Sequence, residues 1–145
     1  MSTANEQTAI AIVRDFLDAV ARGDRKAIRA RHADDILMYD FPDTVRGIAE
    51  YDRTWDFFFN SQRGPITFAP SQLEASAGED VAFVTCEVHC EGTKAGPLDF
   101  RLTVGLEKRG GDWVIAHEHH SLPARNEAVV MPEKREGLLG SAPSH

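Results

Sequence analysis

Asp40 and the run His117-Glu118-His119-His120 carry the side chains best suited to moving protons in this 145-residue chain. Asp40 follows a short apolar stretch and is flanked by Tyr39, Phe41 and Pro42. A carboxylate among such neighbours suits a general base at a pocket mouth. The alternative is a turn aspartate that caps local amides. Three of the six histidines fall within residues 117–120. His117 and His119 are two apart in a predicted strand, so they share a face with Cα atoms about 7 Å apart. Imidazoles so placed can act as an acid/base pair near neutral pH, or form hydrogen-bonded wall residues. Zinc would want a third protein ligand, and the sequence offers none at a telling spacing, so no metal is expected. Arg101 alternates with Phe100, Leu102 and Val104. It could clamp a carboxylate ligand, or pair with an outer-face acid such as Glu87.

These residues need elements to hold them. Trp113, Ile115, His117, His119 and Ser121 alternate with Val114, Ala116, Glu118 and His120. Strict alternation puts the first set on one face of a last strand that runs from core into pocket. His120 then points away, to a surface or a subunit interface. Upstream, Thr3 and Glu6 have capping-box spacing, and Ile10, Val13, Leu17 and Val20 follow at helical period. A first helix is predicted over 4–22, closed by Gly23. A short second helix covers 25–32, capped by Asp24. Residues 36–41 read as a strand stopped by Pro42, and 43–47 as a turn. A third helix over 47–61 carries Tyr51, Trp55, Phe58 and Phe59 along one side. Core packing explains those aromatics, while Tyr51 and Trp55 can also line a pocket and offer hydrogen bonds.

After Gly64-Pro65 the period changes to about 2, and four strands follow at 66–76, 80–91, 97–108 and 112–121. Short Gly-containing breaks between them predict hairpins and a mainly antiparallel sheet. Helices first and a meander afterwards define an α+β domain with helices on one face of a curved sheet. It is expected over 1–123, with a polar tail over 124–145.

The bulk composition sets limits. One domain of this length can bury a real core. A net charge of −7 and a pI near 5.3 argue against nucleic acid or an anionic membrane as partner. No apolar run approaches the roughly 20 residues of a membrane span. The first residues lack a signal-peptide core. Cys86 and Cys90, four apart in one strand, lie about 13 Å apart and cannot pair. Reduced core thiols imply a cytoplasmic protein.

Several short stretches, taken together in order and spacing, carry a resemblance: Ala21-Arg-Gly-Asp24, His32-Ala-Asp-Asp35, Tyr39-Asp-Phe-Pro42, Arg46-Gly47, Arg101-Leu-Thr103, and Trp113 through Pro123. The chain resembles the nuclear transport factor 2-like superfamily, in its SnoaL-like, ketosteroid-isomerase-like branch, over roughly residues 6–123. The resemblance implies a cone-shaped α+β barrel, three N-terminal helices packed on a curved sheet, with a deep apolar pocket and a homodimer. It also implies a small apolar molecule as partner and acid/base chemistry without an organic cofactor: isomerisation, cyclisation or dehydration of a carbonyl or hydroxyl compound. The alternative is a non-catalytic ligand-binding or dimerisation module. The ketosteroid isomerase base falls on Asp40. Its two oxyanion donors fall on Phe16, which cannot donate, and near Thr103, where a carboxylic acid would be expected, so steroid isomerisation by that route is not expected. The site expected from all of this has Asp40, His117 and His119 as catalytic residues. Tyr39, Tyr51, Trp55, Phe16, Phe59 and Arg101 are expected against the substrate.

Overall fold

The computed structural model describes residues 3–130. Of the expected tail, only its start falls in that range, and it contains a short helix, Asn126–Val130; residues 131–145 lie outside the described residues.

Helix α1 (Ala4–Arg22) forms where the caps predict. The Thr3 hydroxyl accepts from Glu6 N–H at 3.1 Å, and the Glu6 carboxylate accepts from Thr3 N–H at 2.7 Å. Gly23 ends the helix at φ 70°, a left-handed cap that favours glycine. One stripe of α1, including Val13, Phe16, Leu17 and Val20, is fully buried. Helix α2 (Arg25–Ala30) is capped by Asp24, which accepts from Ala27 N–H at 3.0 Å. Helix α3 (Ile48–Asn60) buries Tyr51 and Trp55. Arg25 ties α2 to α3 through Asp52 at 3.1 Å and Asp56 at 2.8 Å.

Six strands form one curved, unclosed, mixed sheet, in the order β2-β1-β6-β5-β4-β3. They are β1 (His32–Tyr39), β2 (Thr44–Arg46), β3 (Gln62–Ala77), β4 (Val81–Thr93), β5 (Leu98–Arg109) and β6 (Asp112–Ser121). The β3 to β6 meander is antiparallel, as the hairpin breaks predict, while β1 pairs with β6 in parallel. Two local differences from the sequence reading matter. Strand β1 starts at His32, four residues earlier than expected, because Ile115 N–H donates to Arg31 O at 2.8 Å and draws the segment onto β6. The expected turn at 43–47 contains β2, which pairs antiparallel with β1.

The sheet bends at register shifts. On β3 one of two shifts falls between Ser71 and Glu74, where Gln72 takes φ 55°. The inner face carries Ile36 and Met38 of β1, Phe68 of β3, Val84, Cys86, Val88 and Cys90 of β4, and Phe100, Leu102 and Val104 of β5. These close on α1 and α3 to make one core. Phe16, Trp55, Phe58 and Phe68 meet there edge to face, with ring centroids 5.3–6.1 Å apart.

Candidate functional site

The site is built by a bulge in β6. Gly105 lies opposite His117 and Leu106 opposite Ile115, so Ala116 is an extra residue with no partner on β5. A one-residue insertion sends every following side chain to the other face. Trp113 and Ile115 are buried, and beyond the bulge it is Glu118 and His120 that continue their face. This corrects the strict-alternation expectation. His117 and His119 do not share the core face, and His120 is not a surface residue. Glycine at 105 accommodates the bulge, since a Cβ there would come within 3.2 Å of His117 Cβ.

Glu118 is the hub of the inward cluster, and its exposure is 0%. Its Oε2 accepts from the Tyr51 hydroxyl at 2.5 Å and lies 2.5 Å from His32 Nε2. Its Oε1 lies 2.7 Å from His120 Nε2. His32 Nδ1 lies 2.7 Å from Ile28 O, and the Tyr51 hydroxyl lies 2.8 Å from His32 Nε2. Helix α3, strand β1 and strand β6 therefore each supply part of one buried polar network. Burial opposes ionisation of Glu118, but the hydrogen bonds to His120 and His32, with the positive charge at His32, outweigh it and hold the carboxyl down at about 2. Burial, then the charge of Glu118, pushes the Tyr51 phenol well above its ordinary range. The Trp55 indole N–H lies close enough to Tyr51 to favour phenolate slightly, yet it closes no hydrogen bond and stays buried without a partner.

His120 has the most exposed side chain of this network. Its ring stacks on Phe100 at 5.3 Å, and Phe41 meets it edge-on at 6.0 Å. It is 8% exposed, and no described residue hydrogen-bonds its Nδ1. Phe41 is 44% exposed and covers the His120–Phe100 pair from the loop after β1. Asp40 ends the inner-face series Ile36, Met38, Asp40 and is half-buried. Its carboxylate accepts from Phe41 N–H at 3.0 Å, and its N–H donates to Asp43 O at 2.9 Å. Its charge also adds, last and least, to the forces that keep Tyr51 protonated.

The other expected residues divide between the two faces. Phe16, Tyr51 and Trp55 are buried inside the cone, and Phe59 packs half-buried against them. Tyr39, His117 and His119 form a separate aromatic patch on the outer face, with Tyr39 5.3 and 5.4 Å from the two imidazoles. His117 Nδ1–H donates to Leu37 O at 2.7 Å. Arg101 is exposed on that outer face, opposite Glu87 in register, because Phe100 and Leu102 take the inner positions. Tyr39 and Arg101 are thus turned away from the cone interior. The sequence reading missed Glu118, His120 and His32. For Glu118 and His120 the signal was a carboxylate beside imidazoles in a strand that pairs with Gly105, a glycine amid apolar residues, whereas His32 carries no such signal in its own stretch.

An open cleft of about 640 Å³ lies between α2, α3 and the start of β1, lined by Arg29, Asp34, Ile48 and Asp52 among others. Among the described residues no three His, Cys, Asp or Glu side chains converge to hold a metal ion, and no helix is long and apolar enough to cross a membrane.

A curved sheet with helices on one face and a polar cluster at the inner end of its last strand defines a cone-shaped α+β protein of the pocket type. The SnoaL-like domain matches residues 10–125, and the chain belongs to that family, within the NTF2-like superfamily. Among solved structures it is similar to an NTF2-like protein of unknown function from Pseudomonas putida KT2440. The two share 30% identity over 88% of this chain and 92% of that one, with a TM-score of 0.79. It is also similar to a putative ketosteroid isomerase from Shewanella frigidimarina NCIMB 400, at 24% identity over 77% and 92% of the two chains and a TM-score of 0.67. An uncharacterised protein with a cystatin-like fold from Caulobacter vibrioides matches at 16% identity over 91% and 99%, with a TM-score of 0.74. No curated protein matches the sequence at a significant level. The family fold is that of a small-molecule-binding domain.

Proposed function

We propose that the protein is a cofactor-independent acid/base enzyme acting on a small apolar carbonyl or hydroxyl compound held at the mouth of the cone. The observation that carries this reading is the Glu118–His120 pair. A buried carboxylate 2.7 Å from Nε2 orients an imidazole whose Nδ1 has no hydrogen-bond partner among the described residues. A carboxylate that accepts from one ring nitrogen leaves the other as a base, the arrangement used wherever histidine takes a proton from a reacting group. His120 takes the proton beside the carbonyl. The imidazolium so formed returns that proton to a neighbouring carbon, to the new aldol oxygen or to a departing hydroxyl, while Asp40, on the same inner face, accepts a hydrogen bond from a substrate hydroxyl. Isomerisation, aldol-type cyclisation and dehydration all reduce to such transfers. Phe41 and Phe100 give the substrate an apolar seat, and Phe16, Trp55 and Tyr51 wall the interior behind it.

The test needs no knowledge of the natural product. Enolisable ketones such as 2-tetralone and cyclohexanone are incubated with the protein in heavy water, and deuterium at the α-carbon is followed by NMR. The wild type should exchange at least one of them above the buffer rate. His120→Gln should lower that rate by about 100-fold, and Asp40→Asn should impair it, while His117→Gln and His119→Gln leave it intact. An unchanged rate in His120→Gln would overturn the assignment.

One observation favours a second reading, a dimerisation module. Val81 and Phe83 are exposed on the outer face of the sheet, where Val114 is half-buried. A second copy covering that face would bury them. Light scattering should give twice the chain mass, and Phe83→Glu should give the monomer. We also place the protein in the cytoplasm, since Cys86 and Cys90 are both free and buried.

A further inference from the structure

We infer that His32 is a positioning residue which, through Glu118, keeps His120 neutral with its lone pair on Nδ1. This rests on the reading of His120 as the proton-transferring group, and it assigns a role to a histidine whose side chain is fully buried.

The argument is an accounting of protons. Ile28 O can only accept, so His32 Nδ1, 2.7 Å away, carries a hydrogen. Ile28 lies in the last turn of α2, where carbonyls lack helical donors, so this bond also satisfies an orphan acceptor. His32 Nε2 faces Glu118 Oε2 at 2.5 Å. Two lone pairs cannot sit at that separation, so a proton lies between them. The His32–Glu118 pair thus holds one proton more than a neutral imidazole beside a carboxylate, and its net charge is zero. The Tyr51 hydroxyl completes the relay, donating to Oε2 while its own oxygen lies 2.8 Å from His32 Nε2. With Oε2 saturated, Oε1 is left to accept from His120 Nε2–H. The free electron pair of His120 is then on Nδ1.

The competition between the two imidazoles for the extra proton decides which of them is the base. His32 has acceptors on both ring nitrogens, and its side chain is fully buried between them. Among the described residues His120 has an acceptor on one nitrogen only, and it lies between the rings of Phe100 and Phe41. The groups facing His120 are Phe100 and Leu102 from β5, Phe41 from the loop and Glu118 on its own strand, and Asp40 lies one residue past the register pair Tyr39–His119 of β1 and β6. The depressed carboxyl of Glu118 agrees with a carboxylate whose charge is met inside the core. Without His32, Glu118 would be an uncompensated buried charge, and His120 the only imidazole left to neutralise it. The base would then become an imidazolium.

The experiment uses the full chain with 15N-labelled histidine and no substrate. Long-range proton–nitrogen spectra at pH 7 report which ring nitrogens carry hydrogen, and single histidine variants assign the rings. The wild type should show His32 protonated on both nitrogens and His120 on Nε2 alone. In His32→Gln, His120 should become protonated on both, and α-deuteration of 2-tetralone at pH 7 should fall about 10-fold and recover as pH rises. Tyr51→Phe, which retains His32, should leave His120 on Nε2 alone. A merely structural role for His32 would lower the melting temperature of His32→Gln without changing the protonation of His120, and that result would overturn the inference. Should His32→Gln fail to fold, a singly protonated His32 in the wild type would overturn it, and a doubly protonated one beside a neutral His120 would support it. Spectra as expected without deuteration of any ketone would leave this inference standing and remove the proposed function. Deuteration with a singly protonated His32 would do the reverse.

Discussion

Replacing Glu118 by glutamine keeps the shape of the hub and removes its charge. At neutral pH that leaves the proton held by His32 without a counter-charge at zero exposure. Breaking one side of a buried pair costs about 3–5 kcal/mol. The pH dependence gives an independent figure. The carboxyl sits at about 2 in the folded chain against an ordinary 4.5. That difference, at about 1.4 kcal/mol for each pH unit, is worth about 3 kcal/mol. The sign follows from the direction. A carboxyl depressed by folding contributes fully above 4.5, and the contribution drains away as pH falls toward 2. Glutamine has no such contribution to lose. Urea unfolding of both proteins should therefore show a gap of about 3 kcal/mol at pH 7, roughly 1–2 M in midpoint. The gap should close progressively below pH 4.5 and nearly vanish near pH 2. A gap that stays constant from pH 7 to pH 3 would refute the idea that Glu118 is held as a paired charge. So would a Glu118→Gln protein as stable as wild type at pH 7.

Other expectations test the elements around this hub. Deleting Ala116 removes the bulge yet keeps Ile115, Glu118 and His120 on one face by simple alternation, so the variant should retain a cooperative unfolding transition by circular dichroism. Gly105→Ala forces a methyl against His117 Cβ at 3.2 Å and should cost about 1 kcal/mol in urea unfolding. Burial pushes the Cys86 thiol up to about 11, so iodoacetamide at pH 8 should label it far more slowly in the native protein than in urea. Thr3→Ala removes half of the capping box of α1 and should lower stability by about 1 kcal/mol, seen as a lower thermal midpoint.

Much of the scaffold is legible from local chemistry. The ends of α1 follow from Thr3, Glu6 and Gly23, because caps are short-range devices written within four residues of where they act. The four long strands follow from alternation and glycine-rich breaks. The start of β1 does not follow, because Asp34 and Asp35 break the apolar pattern just where the strand begins and are exposed there. What holds His32 in β1 is a parallel pairing with Ile115, more than eighty residues away. No local pattern encodes that contact, and the small β2 strand depends on the same long-range pairing of β1.

The site itself turns on a single unpaired residue. Reading Trp113 to Ser121 as a regular strand puts two histidines into the pocket and a glutamate outside. The same residues with Ala116 bulged put one glutamate and one histidine inside and leave two histidines out. Alternation cannot choose between these, because either face then carries imidazoles. Polar satisfaction can. An inward pair of histidines at 117 and 119 would bring two imidazoles into an apolar cone with no partner named by the sequence. An inward Glu118 meets three donors from three different elements, His32, Tyr51 and His120. A carboxylate is tolerated in a core only when its oxygens are met in that way. The bulge and the network therefore require each other. Gly105 makes room for the bulge, the bulge turns Glu118 inward, and His32 and Tyr51 make that orientation affordable. A sequence signal for such a site is then a set rather than a motif: a glycine opposite the strand, an acid beside histidines, and a lone histidine and tyrosine at inward positions of other elements.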